Sequence, residues 1–267
     1  QLDYVSRNSA TWGYVAPDGT EYALAGLASG VSIVSLANPE QPVEVAFVPM
    51  QQSSWRELKT FGEFAYVVTD AGGTTEGVKV IDLSGLPGGV QSWNWKPVLP
   101  GQTDTLFRCH SIFIDNQGIV FLNGCDKNSG GVIFTDVFSD PGNPKFLGYG
   151  EAVYAHDSYA RNDTLYTAEI YQGRFSVFDI SNISSPVKLA EQETPYKFTH
   201  NVWLSDDSKT IFTTDERSDA SVAAYDISDL TDIRLLDEFR MPSTIGKGVI
   251  PHNVHVLNDF LVIAHYT

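Results

Sequence analysis

Hydrophobic and polar positions alternate in short runs along the whole chain, the period expected of half-buried strands. Turns such as "PDGT", "DNQG", "RNDT" and "SDDS" separate the runs, and no stretch keeps a helical period long enough to matter. The pattern predicts an antiparallel all-β fold.

A phrase of β-rich residues, an Asp and a turn containing Pro or Asp recurs five times: "GVSIVSLANPEQPVEVAF" (30–47), "GVKVIDLSGLPGG" (77–89), "GVIFTDVFSDPGNPKFLGY" (131–149), "RFSVFDISNISSPVKLAE" (174–191) and "SVAAYDISDLTDIRLLDEF" (221–239). Asp82, Asp136, Asp179 and Asp226 hold the acidic position and Ser35 replaces it in the first copy. An Asp there is expected to cap the turn after the third strand by accepting backbone N–H bonds, which is a structural duty.

A second phrase carries a histidine: "RCHSIF", "YAHDSY", "KFTHNVW" and "IPHNVHV", with "TWGYV" and "SWRELK" in its place earlier in the chain. The landmarks Trp12, Trp55, His110, His156, His200 and His252 stand 43 to 55 residues apart, close to the length of a four-stranded propeller blade. Six starts predict a six-bladed β-propeller of four-stranded antiparallel blades, one domain over 1–267, with blade starts near 12, 55, 110, 156, 200 and 252. "QSWNWKPVLPGQTDTLF" (91–107) is expected to be an insertion between the second and third blades. The last unit, "PHNVHVLNDFLVIAHYT", suffices for two strands. "LDYVSRN" near the N-terminus is expected to add an outer strand, and the chain is expected to be a fragment of a longer protein.

Folding each first hairpin about its turn places a partner opposite each landmark. His156 falls opposite Glu169, His200 opposite Asp215, Trp55 opposite Asp70, His110 opposite Asn123, His252 opposite His265 and Trp12 opposite Ala25. In a propeller these positions converge on one channel mouth. The candidate metal ligands are therefore His110, His156, His200, His252, His265, Asp70, Glu169 and Asp215. Imidazole with carboxylate suits Zn, Mn, Fe or Cu better than Ca or Mg. The bland alternative is that each histidine hydrogen-bonds a neighbouring blade or its own carboxylate. His255, three residues beyond His252, is expected on the opposite face. Glu169, Arg56 and Glu57 are candidates for acid–base work or for holding an anionic group, an interblade ion pair being the alternative for the last two.

Composition changes this picture in three places. The balance of 17 basic and 33 acidic residues, a formal charge of -16, disfavours nucleic acid and anionic lipid. No run approaches the length of a membrane span, and the chain reads as soluble. Cys109 and Cys125 flank the "DNQG" turn nearly opposite one another, as a cross-strand disulfide or as two buried thiols; a bridge favours an oxidising compartment. "DAGGTTEG" and "DKNSGG" lack the spaced ligands of a Ca loop and read as solvated turns, and "NDT" and "NIS" match the glycosylation acceptor pattern.

The strings "GVKVIDLS", "RFSVFDIS" and "SVAAYDIS" resemble the LVIVD repeat, and with "SSWRELKTFGEFAYVVTDAGG", "YAHDSY" and "FTHNVW" the chain looks like the bacterial choice-of-anchor B proteins from about Leu2 to Thr267. The resemblance implies a secreted or surface-held propeller followed by further propeller sequence and an anchoring tail, and it assigns no residue a catalytic role. Three functions follow. The leading one is a binding module whose metal serves rigidity or holds an extracellular polymer, small molecule or surface protein. The second is a metal-dependent enzyme of lyase, phosphoesterase or oxygenase type. The third is a scaffold without metal.

Overall fold

The computed structural model describes residues 8–267. Apart from Asn8, the "LDYVSRN" segment expected to form an outer strand lies outside the described residues. The chain divides into two compact units that meet between Gly148 and Tyr149, and each is described by itself.

The first unit holds three sheets. The first comprises β1 (Asn8–Val15), β2 (Glu21–Leu27), β3 (Gly30–Ser35) and β4 (Val43–Pro49), and the second β5 (Arg56–Phe61), β6 (Phe64–Thr69), β7 (Val78–Asp82) and β8 (Gln91–Trp95). The third comprises β9 (Ser111–Ile114), β10 (Ile119–Asn123), β11 (Ile133–Asp136) and β12 (Lys145–Tyr149). Each is an antiparallel meander with its strands in sequence order. β5 packs against both β1 and β9, so the first strands of successive sheets lie side by side. Leu24, Ile33, Leu58, Val67 and Ile81 are fully buried between the first two sheets, and Tyr14, Tyr22 and Met50 extend that core.

The second unit repeats the plan. Its sheets are β13 (Asp157–Arg161), β14 (Thr164–Glu169), β15 (Arg174–Asp179) and β16 (Val187–Glu193), then β17 (Thr199–Leu204), β18 (Thr210–Asp215), β19 (Val222–Asp226) and β20 (Arg234–Phe239). A two-stranded sheet of β21 (Ile250–Leu257) and β22 (Phe260–Tyr266) follows. β13 packs on β17 and β17 on β21.

Burial differs from strand to strand across each sheet. β14 and β15 are buried along nearly their whole length, whereas β16 alternates and β20 is exposed throughout. A middle strand covered by neighbouring sheets on both faces buries side chains of both orientations, here with Thr167, Glu169 and Ser176 among the apolar ones. "QSWNWKPVLPGQTDTLF" is not wholly an insertion: its first five residues form β8, the outer strand of the second sheet, pairing from Val78–Trp95 to Asp82–Gln91. The remainder is a connection closed by the bridge between Val98 and Thr105.

The repeated Asp does cap the turn after each third strand. Asp82 accepts from Ser84 N at 2.9 Å, Asp136 from Phe138 N at 2.7 Å, Asp179 from Ser181 N at 2.8 Å and Asp226 from Ser228 N at 3.0 Å. Ser35 does the same work more weakly, accepting from Ala37 N at 3.3 Å. Cys109 and Cys125 are joined in a disulfide.

Candidate metal centre

Three residues of the second unit bring their ligand-capable atoms within 4.8 Å of one another: His156, His200 and Glu216. His156 immediately precedes β13, its N–H donating to Ala168 O at 2.7 Å. His200 lies inside β17 at a register shift, for Thr199 pairs with Asp215 and Asn201 with Thr214. A bulge of this kind inserts one residue and re-aims its side chain. Glu216 follows β18 directly, held by the bond from its N–H to Phe198 O at 3.1 Å.

The imidazoles form a row. The rings of His156 and His200 lie 4.3 Å apart between centroids, and those of His200 and His252 lie 3.9 Å apart. His156 and His200 are buried, whereas the His252 side chain is 38% exposed and forms the open end of the row. His252 Nε2 stands 3.8 Å from Glu216 Oε1. Tyr266 donates its hydroxyl to the same carboxylate oxygen at 2.5 Å. Burial, then the hydrogen bond and negative charge of Glu216, push the Tyr266 phenol up to about 12. Tyr154 packs at a tilt beside His156, with centroids 6.4 Å apart, and Tyr171 lies 4.8 Å from Tyr154, also tilted.

These residues suit a borderline-soft divalent cation on the chemistry of their donors. His156 Nδ1 lies 3.1 Å from His200 O. When that nitrogen carries the proton and donates to the carbonyl, Nε2 is the ligand atom, an arrangement typical of metal-binding imidazoles.

The other expected ligands serve other ends. Asp215, level with Thr199 rather than His200, is buried and accepts from Thr194 Oγ1 at 2.6 Å, Tyr196 N at 2.9 Å and Phe198 N at 2.8 Å; it pins the loop before β17. Glu169 is 2% exposed and paired with Arg174 Nε at 2.7 Å. That bond and the charges of Glu169 and Glu191 raise the Arg174 guanidinium despite the opposing effect of burial. The Glu169 carboxylate is thus engaged with Arg174. His265 pairs with Pro251, not His252, because the register shifts between Pro251 and Val254, and its side chain is exposed. The adjacent Tyr266 reaches Glu216 instead.

In the first unit, His110 Nδ1 lies 2.8 Å from Asp70 Oδ2, with Arg108 3.8 Å from the same carboxylate. Asn123 pairs in register with Ser111 and also accepts from His110 N at 2.9 Å, and the partner of Ala25 is Thr11 rather than Trp12. Arg56 is 1% exposed: its Nε donates to Leu27 O at 2.9 Å and an Nη to Gln51 O at 2.7 Å, and burial lowers its pKa against the pull of Glu76. A guanidinium engaged with main-chain carbonyls clamps the start of β5 and is not presented to an anion. Glu57 is paired with Lys59 at 2.7 Å. His255 stacks on Trp203, 4.4 Å between centroids, in a separate aromatic row with Tyr159.

Glu216, Tyr266, Tyr154 and Tyr171, which stand beside the imidazole row, are not singled out by the sequence pattern. For Glu216 the signal was present but ambiguous, since "TTDE" puts two carboxylates side by side and the choice depends on a one-residue bulge.

No family model matches the chain, and no curated protein does. Solved structures do. The chain is similar to the β-propeller domain of Cps50 (Swd1) from Myceliophteria thermophila, with a TM-score of 0.64 and 10% identity over 92% of this chain and 76% of that one. The fold is a β-propeller.

A putative 6-phosphogluconolactonase from Bacteroides uniformis is similar over 93% of this chain and 75% of its own, at 14% identity and a TM-score of 0.68. The periplasmic gluconolactonase PpgL of Pseudomonas aeruginosa gives 13% identity, 92% and 77% coverage and a TM-score of 0.61. The resemblance to LVIVD-repeat and choice-of-anchor B proteins is not upheld: no family model matches, and the similar structures include propellers named as lactonases. In the "VIDLS"-type strings the Asp is accounted for by the turn it caps, a general device that marks no particular family. No helix among the described residues is long and apolar enough to cross a membrane.

Proposed function

We propose that the second unit carries a divalent transition-metal centre on His156, His200 and Glu216 and that this centre performs hydrolysis at an ester-type carbonyl. The observation that carries the reading is the convergence of two buried imidazoles and one carboxylate beside a half-exposed face. Two His and one Glu with a position left for water or substrate is the donor set of hydrolytic zinc sites, whereas structural sites close with four protein ligands. When bound, such an ion polarises a carbonyl or lowers the pKa of water.

The chain's own residues prepare the site. The His200 carbonyl would fix the tautomer of His156, Tyr266 orients the Glu216 carboxylate, and His252 stands half-exposed 3.8 Å from Glu216, where it could serve as a general acid or base. The names of the lactonase neighbours agree in reaction class, although identities of 13–14% carry only the fold. The disulfide, together with the periplasmic neighbour, supports a location outside the cytoplasm.

A pure binding role is the second reading, favoured by the His252 ring lying 3.9 Å from His200, where it would close the shell as a fourth ligand. Metal content of untagged protein tests the first claim. One ion per chain is expected, with affinity reduced more than about 100-fold in the His156→Ala, His200→Ala double variant. Protein that takes up no stoichiometric transition metal would sink it. His252→Ala then separates the readings: metal retained with ester or lactone turnover lost marks a hydrolase, and metal lost marks a closed binding site.

A further inference from the structure

In every four-stranded sheet the second strand is hydrogen-bonded on both edges, as β6 is between β5 and β7 and β14 between β13 and β15. β22 is a second strand by register, because the closing pair of its hairpin, Leu257 with Phe260, matches Phe61 with Phe64 and Arg161 with Thr164. Among the described residues it pairs with β21 alone. Its sequence is that of a covered strand, yet Phe260, Leu261 and Val262 are 72%, 40% and 56% exposed, whereas Ala65 and Tyr66 at the matching places of β6 are fully buried.

An unpaired strand edge attracts other strands unless charge or proline deters them. The outer strand β16 carries Lys188, Glu191 and Glu193, and β20 carries Arg234, Asp237 and Glu238. "FLVIAHY", the whole of β22, has no Lys, Arg, Asp, Glu or Pro.

The other five sheets show what such an edge receives. Asp82 of β7 pairs with Phe64, and Asp179 of β15 with Thr164. The next N–H, from Leu83 or Ile180, donates to the carbonyl just before that partner, Glu63 O or Asp163 O, at 2.8 Å. The remaining three sheets keep the same register, with Ser35 in the Asp position of the first. Carried onto β22, this register sets an Asp opposite Phe260 and the following N–H on Asp259 O. Neither source within the chain supplies that strand. Each third strand already has a neighbour on both edges, and β22 of a second copy brings no Asp.

We propose that the open edge of β22 binds an extended polypeptide segment from outside residues 1–267, antiparallel, with alternating apolar residues and an Asp opposite Phe260. This is β-strand addition, in which main-chain hydrogen bonds supply affinity and alternate side chains supply register. The proposal is independent of the metal centre, although β22 ends on Tyr266, whose hydroxyl reaches Glu216.

The probe is a synthetic peptide of residues 174–181, "RFSVFDIS", added to the full chain and followed by fluorescence anisotropy and amide hydrogen exchange. Saturable binding is expected, with exchange slowed about fivefold or more across 260–266 and unchanged in β20, whose outer edge is also unpaired. N-methylation at Ile180, whose N–H is the one directed to Asp259 O, should weaken the peptide about tenfold, the scale of one backbone hydrogen bond. N-methylation at Asp179, whose N–H points away from the acceptor strand, should leave binding unchanged. No binding, binding without slowed exchange across 260–266, or equal weakening by the two methylations overturns the proposal. Self-association of the chain that protects 260–266 and resists the peptide also overturns it, in favour of edge-to-edge pairing between copies.

Discussion

Asn201, the residue after His200, ties three strands together. Its Nδ2 donates to Asp157 Oδ2 at 2.6 Å and its Oδ1 accepts from Val254 N at 2.8 Å. Asp157 stands in the corresponding place after His156, and Ser111 after His110 accepts from Asn123 Nδ2 at 3.0 Å. At His156/Asp157 and at His200/Asn201 two successive residues thus divide the labour, the histidine joining the cluster and the next residue linking neighbouring sheets, whereas Ser111 bonds within its own sheet. Asn201 is 3% exposed, so its partners have no water to replace it. Asn201→Ala is expected to cost about 2–3 kcal/mol in denaturant unfolding, more than a single solvent-exposed hydrogen bond, because a buried carboxylate and a buried N–H each lose a partner. It should also loosen metal binding, since β17 carries His200. A loss below about 1 kcal/mol would show that the staple is incidental.

At the scale of the strand and turn, the blade plan was legible because alternation, turn residues and the Asp cap repeat with one period. The site was legible only in part. His156, His200 and His252 could be placed together because the repeat puts them at the same point in successive blades. Their carboxylate could not be chosen, because register shifts at Thr199/Asn201 and Pro251/Val254 depend on packing between sheets and leave no mark in the hydrophobic pattern. Arg56 was misjudged for a related reason: sequence shows a charge at the level of the histidines, but not that it folds back onto main-chain carbonyls. Gly173 lies in the turn after β14. Gly173 has φ +67, and a Cβ there would stand 2.6 Å from the Cα of Lys197, with little freedom to yield because Thr194 N also donates to Gly173 O at 3.0 Å. Gly173→Ala should therefore destabilise by about 2 kcal/mol through both strain and clash, visible as a lowered midpoint with an unchanged denaturant slope. An unchanged midpoint would mean that the segment before β17 gives way freely.

Across the whole molecule two electrostatic effects oppose each other as pH falls. A formal charge of -16 at pH 7 repels itself, so protonation of ordinary carboxylates towards the isoelectric region near 4.6 relieves strain on the compact state. The capping aspartates act in the other direction. Hydrogen bonds from the Ser181 side chain and backbone lower Asp179, and those from Ser228 lower Asp226; Asp207 and Asp229 are lowered by Ser205 and Thr231 in the same way. In Asp136, burial raises the pKa but the bonds from Ser139 and Phe138 outweigh it. A carboxyl held below its unfolded value of 3.8 contributes stability that is complete above that value and disappears as pH falls through the lowered folded values. Thermal midpoints at low salt should therefore rise gently from pH 7 towards the isoelectric region and then drop once pH passes below 3.8. Salt separates the two limbs. About 0.5 M NaCl should flatten the rise, because it screens distant surface charges, and leave the acid drop, because hydrogen bonds two residues apart are little screened. An acid limb that flattened along with the other would mean that the caps contribute nothing and that net charge alone governs the profile.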